Sequence, residues 1–350
     1  MRPREVARTA LRKPALVFLG CLAVMTGGLW CSRAVKGRRA SRAPGITQAA
    51  QSSLRPESFL LHDRPVVRPA AMGSQLSGIF VILHGCSHSA LDFWPRSLSC
   101  PDCVGLPEEV LLVESLVKMR YFPLAVSSTR RCWSPGSRDL GRIAAAINET
   151  VASKDLHGIP LFVFGASSGG MVASMLPSLL KVSGVVVQIS AGVSEMFESN
   201  GADGGPYPPV AFIHMLRDYR TADRVAQNQK LLRARGVPCE QFEVKETAIH
   251  RSYFSTRSRA ITDAESEQIF DALRDGSFLS PEYFLKEDPR KSAWRQHIQK
   301  RLPDIAQKDG LVTDQSQISE LLNVAFAGHE LTAQHVSDAV QFLEGHMQQQ

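Results

Sequence analysis

One stretch constrains the fold of this chain more than any other: Phe162-Val163-Phe164-Gly165-Ala166-Ser167-Ser168-Gly169-Gly170. An apolar run enters it, and a helical pattern over about 168–180 leaves it. A strand passes into a helix within so few residues only by a sharp turn. Gly165 and Gly169 leave room where side chains would collide. Such a turn sets Ser167 on the carboxyl edge of a sheet and aims the next helix at it. The Ser168 N–H is then expected to donate to a developing negative charge. The pentapeptide by itself also suits an inert Gly/Ser-rich turn, so its surroundings carry the weight.

Those surroundings alternate. Apolar, β-rich runs at 79–83, 122–127, 160–164, 184–189, 210–215 and 238–245 are separated by helical patterns at about 107–119, 138–153 and 221–235. Pro123 is awkward within its run. Apolar strands alternating with helices predict a mostly parallel sheet covered on both faces. After about residue 263 the strands stop, and 263–275, 291–306, 315–326 and 332–347 read as amphipathic helices punctuated by Pro281, Pro289 and Pro303. The expected organisation is a basic segment at 1–39, a linker at 40–75, an α/β domain at 76–262 and a helical appendage at 263–350. The appendage packs on the sheet, forms a lid or binds a partner; the sequence does not choose, and any protein partner stays unknown.

From about 78 to 255 this pattern resembles the α/β-hydrolase superfamily. Three further segments carry the resemblance. Leu83-His84-Gly85-Cys86 ends the first clear strand, as the His-Gly loop of these enzymes does. The resemblance implies that the Cys86 N–H is a second oxyanion donor beside Ser168, with Gly85 allowing a close backbone turn and His84 structural. Leu216-Arg217-Asp218 follows the 210–215 strand, where the family's triad acid sits. That makes Asp218 the candidate, ahead of Asp223 and Asp203, and a helix cap its plain alternative. Ala248-Ile249-His250 follows the 238–245 strand, making His250 the candidate triad histidine and His329 its rival. The order Ser167, Asp218, His250 is the superfamily's order.

The implied function is a serine hydrolase. Its substrate would be a small acyl compound, a carboxylic ester ahead of a peptide or thioester, cleaved through an acyl-enzyme with no metal and no organic cofactor. The alternative is a non-catalytic hydrolase-fold protein that binds a ligand or partner. Phe93, Trp94 and Trp133 wall a pocket or simply pack in the core. Arg130 and Arg131 meet an anionic substrate or are solvated loop charges.

The net charge of +6 is unevenly placed. Residues 1–55 hold eleven Lys/Arg against one acid, and the other 295 residues hold 29 basic against 33 acidic groups. The body therefore lacks the basic footprint of a nucleic-acid binder. Residues 15–31 form an uncharged apolar run flanked by basic residues. A signal-anchor helix that spans a membrane is the leading reading, with the body in the secretory-pathway lumen or outside the cell; a cleaved signal and an organelle transit peptide are alternatives. Of the seven cysteines, Cys86, Cys100, Cys103 and Cys132 lie within 47 residues. One or two disulfides, buried thiols, and a zinc site with Cys100-Pro-Asp-Cys103 as one ligand pair all remain open. Asn148-Glu149-Thr150 is a glycosylation sequon.

Overall fold

A computed structural model describes residues 55–347, apart from Ser74 and Ser137. The expected anchor at 15–31 lies outside these residues. Among the described residues no helix is long and apolar enough to cross a membrane.

Eight strands form one sheet: β1 (Pro56–Leu61), β2 (Arg64–Pro69), β3 (Gly78–Leu83), β4 (Tyr121–Val126), β5 (Leu161–Ala166), β6 (Gly184–Gln188), β7 (Val210–Met215) and β8 (Cys239–Val244). Their spatial order is β1-β2-β4-β3-β5-β6-β7-β8. The pairs β1/β2 and β2/β4 are antiparallel, and all later pairs are parallel. The helices are α1 (Pro107–Lys118), α2 (Asp139–Lys154), α3 (Ser168–Ala173), α4 (Ser194–Phe197), α5 (Tyr219–Ala234), α6 (Tyr253–Arg257), α7 (Asp263–Asp275), α8 (Trp294–Arg301), α9 (Pro303–Asp309), α10 (Gln317–Phe326) and α11 (Val336–Met347). This strand order, with helices on both faces and a strand–turn–helix at Ser167, is the α/β-hydrolase fold.

The central strands β3, β4, β6 and β7 are buried along their whole length because helices cover both faces. Alternate side chains therefore feed two cores. Phe80, Ile82, Phe162 and Phe164 meet residues of α1 and α11 on one face; Ile79, Val81, Val163 and Val185 meet residues of α2, α3 and α5 on the other. Pro123 is accommodated because β2 pairs with β4 only at Val126 and Ala125, leaving the Pro123 position without a ladder partner on that side.

Three expectations need correction. The segment at 40–75 is not wholly a linker, since β1 and β2 form a six-residue hairpin within it. Its turn, His62-Asp63, has both residues at positive φ (48° and 61°), a conformation more often signalled by Asn-Gly. The second correction concerns the appendage. Helices α6 to α10 do enclose a separate core around Ile269, Leu273, Trp294, Ile298 and Leu321. After α10, however, the chain returns to the sheet: Ala327, Leu331, Val336, Val340 and Leu343 belong to the core under β3 and β5. The helical segment is thus an insertion between β8 and α11 rather than a terminal appendage. The helix expected over 168–180 is also shorter, ending at Ala173, with a single 3-10 turn at Leu176–Ser178 that starts ahead of Pro177.

The elbow is packed backbone against backbone. A Cβ built on Gly169 would lie 2.3 Å from the Leu83 carbonyl oxygen, and one on Gly165 would lie 2.3 Å from the Gly169 carbonyl oxygen. Neither neighbour is a flexible side-chain tip that could swing aside. Gly169→Ala is therefore expected to lose about 3 kcal/mol or more of stability. Gly141→Ala, on open helix surface with nothing within 4 Å of the added methyl, should be neutral or slightly stabilising. Urea unfolding of the two variants checks the contrast.

Candidate active site

Ser167 follows the last residue of β5 with φ 52° and ψ −114°, a conformation that an L-residue holds only when its surroundings impose it. Here the surroundings are the glycine contacts at 165 and 169 and the bond from the Ser167 N–H to the Gln188 carbonyl (2.9 Å). The hydroxyl stands proud of the sheet edge at the N-terminus of α3.

The histidine facing it is His329, not the expected His250. His329 Nε2 lies 3.1 Å from Ser167 Oγ, and its Nδ1 lies 2.6 Å from Asp218 Oδ2. With Nδ1 donating to the carboxylate, Nε2 is left as the acceptor for the serine hydroxyl. His250 is exposed, its Nδ1 is 3.1 Å from Ser252 Oγ, and its ring lies edge-on to Tyr253. The reason lies in the backbone after β8. The Thr247 and Ile249 N–H groups donate to Ala325 and Tyr283 of the insertion, so this loop is bound to the helices and carries His250 away from the sheet edge.

Asp218 combines both roles weighed for it. Oδ1 caps α5 by accepting the Thr221 N–H (3.3 Å), while Oδ2 accepts from His329. Burial by itself would raise its carboxyl pKa, but the bonds from His329 and Thr221 outweigh burial and hold it below the ordinary aspartate value. Of the other acids considered, Asp203 is an exposed loop residue that accepts the Gly205 N–H, and Asp223 lies along α5.

The loop after β3 runs past Ser167. A Cβ on Gly85 would lie 3.8 Å from Ser167 Cβ, in ordinary contact, so the loop passes directly beside the serine. His84 is structural: its Nδ1 donates to the Gly85 carbonyl (2.5 Å), its Nε2 accepts the Ser128 N–H (3.0 Å), and burial lowers its pKa to about 4. Among the described residues, neither the Cys86 nor the Ser168 amide has a backbone or side-chain acceptor, and both residues border the open space around Ser167.

A disulfide from Cys86 to Cys132 ties this loop to the one after β4, and a second joins Cys100 to Cys103. The first is reinforced by the Ser87 N–H donating to the Arg131 carbonyl (2.8 Å) and by Arg131 Nε donating to Ser87 Oγ (2.6 Å). Trp133 Nε1 donates to the His84 carbonyl (2.9 Å). Trp133, Phe93 and Trp94 are core residues, 0–2% exposed, and do not line the open space around Ser167. Among the described residues no group of His, Cys, Asp or Glu is arranged to hold a metal ion. Asn148 is exposed on α2, while the Thr150 of its sequon is buried and accepts from Arg68 Nη1 (2.8 Å).

Ser167 and His329 stand between two cavities. One, of about 680 Å³, is bordered by Cys86, Arg131, Tyr219, Arg290 and Phe326; the other, of about 440 Å³, by Met171, Ser190, Val193 and Arg224. Ser167 therefore has open space on both sides. Tyr219, Arg290 and Phe326 had no local sequence signal. Residues 290 and 326 come from the insertion, and only tertiary packing brings them here.

Behind the His329 loop lies a buried acidic cluster. Glu108 accepts from Arg257 Nη1, Thr332 Oγ1 and the Ala333 N–H at 2.8–2.9 Å. Its own amide donates to Glu320 Oε1 (2.9 Å). Glu320 and Glu109 face each other out of water. Burial, then the neighbouring carboxylates, pushes the Glu320 pKa well above the ordinary glutamate value. Burial also raises Glu109, to about 7. Burial would lower His88, but attraction from Asp92, Glu109 and Glu330 raises it to about 10.

A carboxyl whose pKa is raised on folding binds its proton more tightly in the folded state, so stability is lost as pH climbs from the unfolded value of about 4.5 through the folded one. Glu320→Gln removes this loss while keeping the Oε1 acceptor. The variant's unfolding midpoint is expected to exceed the wild-type midpoint by more at about pH 8 than at about pH 5. An equal difference at both, read by thermal melts, would refute the assignment.

No family model and no curated protein matches the chain. Among solved structures, an α/β-hydrolase enzyme named MGS-M1, from a Medee basin deep-sea metagenome library, is 13% identical with a TM-score of 0.42, covering 64% of this chain and 97% of its own. The Pyrococcus furiosus esterase Pf2001 is 14% identical with a TM-score of 0.40, covering 59% and 90%. The fold is defined by the strand order and the elbow described above.

Proposed function

We propose that this chain is a serine hydrolase that cleaves carboxylic esters through an acyl-enzyme. The observation that supports this reading is the single imidazole held between a carboxylate at 2.6 Å and the elbow serine at 3.1 Å. In the proposed reaction, His329 Nε2 takes the Ser167 proton as Oγ attacks the acyl carbonyl. Asp218 holds the Nδ1–H tautomer and stabilises the imidazolium. The Ser168 and Cys86 N–H groups receive the oxyanion. His329 then passes its proton to the leaving alcohol, and a water molecule, activated by the same nitrogen, releases the acid. The acyl and alcohol portions occupy the two cavities.

The test is covalent labelling of the full chain with a fluorophosphonate. Ser167→Ala is expected to abolish labelling. His329→Gln and Asp218→Asn should slow it at least about a hundredfold, and His250→Gln should leave it unchanged. A folded wild-type protein that is not labelled would favour a non-catalytic binding protein.

The uncharged run at 15–31 is proposed to hold the chain at a membrane, with the body on an oxidising side. Its length and basic flanks support an anchor, and the two disulfides support an oxidising compartment. The full-length protein should stay in the membrane pellet after alkaline carbonate extraction. Release into the supernatant would overturn the anchor.

A further inference from the structure

We propose that Arg290, supplied by the helical insertion, is a positioning residue for His329. The catalytic part of the argument rests on the hydrolase reading above.

The loop that carries His329 is pinned at both ends. At its start, the Arg217 N–H donates to the Ala327 carbonyl (3.0 Å). At its end, Thr332 exchanges two bonds with the Gln188 side chain (2.8 and 3.0 Å), and Glu108 accepts from Thr332 and Ala333. Between these pins stand Gly328, His329, Glu330 and Leu331. Arg290 Nη2 reaches them, donating to the His329 carbonyl and to Glu330 Oε2 (3.0 Å). The same Oε2 accepts from Asn323 Nδ2 (2.8 Å), and the Glu330 N–H contacts Met215 Sδ (3.3 Å).

Arg290 is itself braced. Its N–H donates to Asp288 Oδ1 (2.9 Å), and the preceding Pro289 carbonyl accepts from Nε1 of the fully buried Trp294 (2.9 Å). The insertion's core thus fixes the segment from which the guanidinium reaches out.

The bond to Asp218 sets the rotation of the imidazole, but it does not set where the His329 backbone sits. A shift of about 1 Å in a catalytic group costs on the order of a hundredfold in rate. The Arg290 bond to the His329 carbonyl acts on that backbone. The Arg290–Glu330 pair is also partly desolvated, with side-chain exposures of 31% and 9%, unlike a freely solvated ion pair of little consequence. The insertion therefore has a task at the reacting centre: it clamps the loop that presents the base.

The test uses the full chain with Arg290→Ala, Arg290→Lys and Glu330→Gln. The readouts are fluorophosphonate labelling rate, ester kcat and KM, thermal midpoint, and hydrogen–deuterium exchange over 326–333. Arg290→Ala is expected to lower kcat and labelling about 10- to 100-fold, with KM changed by less than about threefold. Exchange over 326–333 should quicken while β5–β7 stay protected. Arg290→Lys keeps the charge but loses the forked head, so it should recover part of the rate.

Wild-type kcat and labelling in Arg290→Ala, or unchanged exchange over 326–333, would overturn the clamp. Should Arg290→Ala fail to fold, Arg290→Lys and Glu330→Gln carry the same comparison, and wild-type rates with wild-type exchange in both overturn it. If the wild type is not labelled, the hydrolase reading fails, while the exchange data still decide whether Arg290 holds the loop.

Discussion

The crossing of backbone on backbone at the strand–turn–helix is the constraint on which the site depends. Gly169 lies so close to the Leu83 and His84 carbonyls, and Gly165 to Gly169, that no side chain fits at either position. This close approach lets α3 start immediately after β5, forces Ser167 into positive φ, and brings the loop after β3 alongside it. The serine hydroxyl, the Ser168 amide and the Cys86 amide come together as one consequence of that crossing. Ser167 is thus held in an unfavourable conformation by the packing of its neighbours, a common arrangement where chemistry is done.

A second dependence runs through the insertion. The chain leaves β8, folds five helices around their own core, and then returns to place His329 over the sheet edge before α11 closes the core beneath it. The histidine's position therefore depends on how the insertion sits on the sheet. Polar and charged groups buried where the two meet join them. Glu108 on α1 binds Arg257 of the insertion and the residues after His329, and Glu320 on α10 accepts from the Glu108 amide. Such groups are costly to bury unless partnered, and their pairing is directional, so they favour one seating of the helices over others. The Cys86–Cys132 disulfide acts similarly on the opposite side, holding the loop after β3 through a covalent bond to the loop after β4.

Much of the fold was legible in the sequence because the central strands are buried on both faces and read as unbroken apolar runs. The hairpin β1–β2 was not legible. It lies at the sheet edge, is interrupted by Glu57, Arg64 and Arg68, carries Pro56, Pro65 and Pro69, and turns on His62-Asp63 rather than on a glycine. The return of 327–347 to the sheet was hidden for a different reason. An amphipathic helix shows that it has a partner, not which one, so α11 looked like one more member of the helical run.

The sequence by itself determined the α/β alternation, the elbow around Ser167, and an aspartate at the end of β7, because each is a local pattern of apolar period, glycine spacing or strand terminus. Tertiary structure decided which histidine faces the serine. His250 and His329 each follow a plausible element, and the choice turns on long-range bonds: Thr247 and Ile249 to the insertion, and Arg217 to Ala327. Those bonds join residues tens to more than a hundred positions apart, and no local pattern encodes such pairings. Tertiary structure likewise placed Arg290 on the His329 carbonyl, since a guanidinium nearly forty residues away becomes a neighbour only when the insertion has folded.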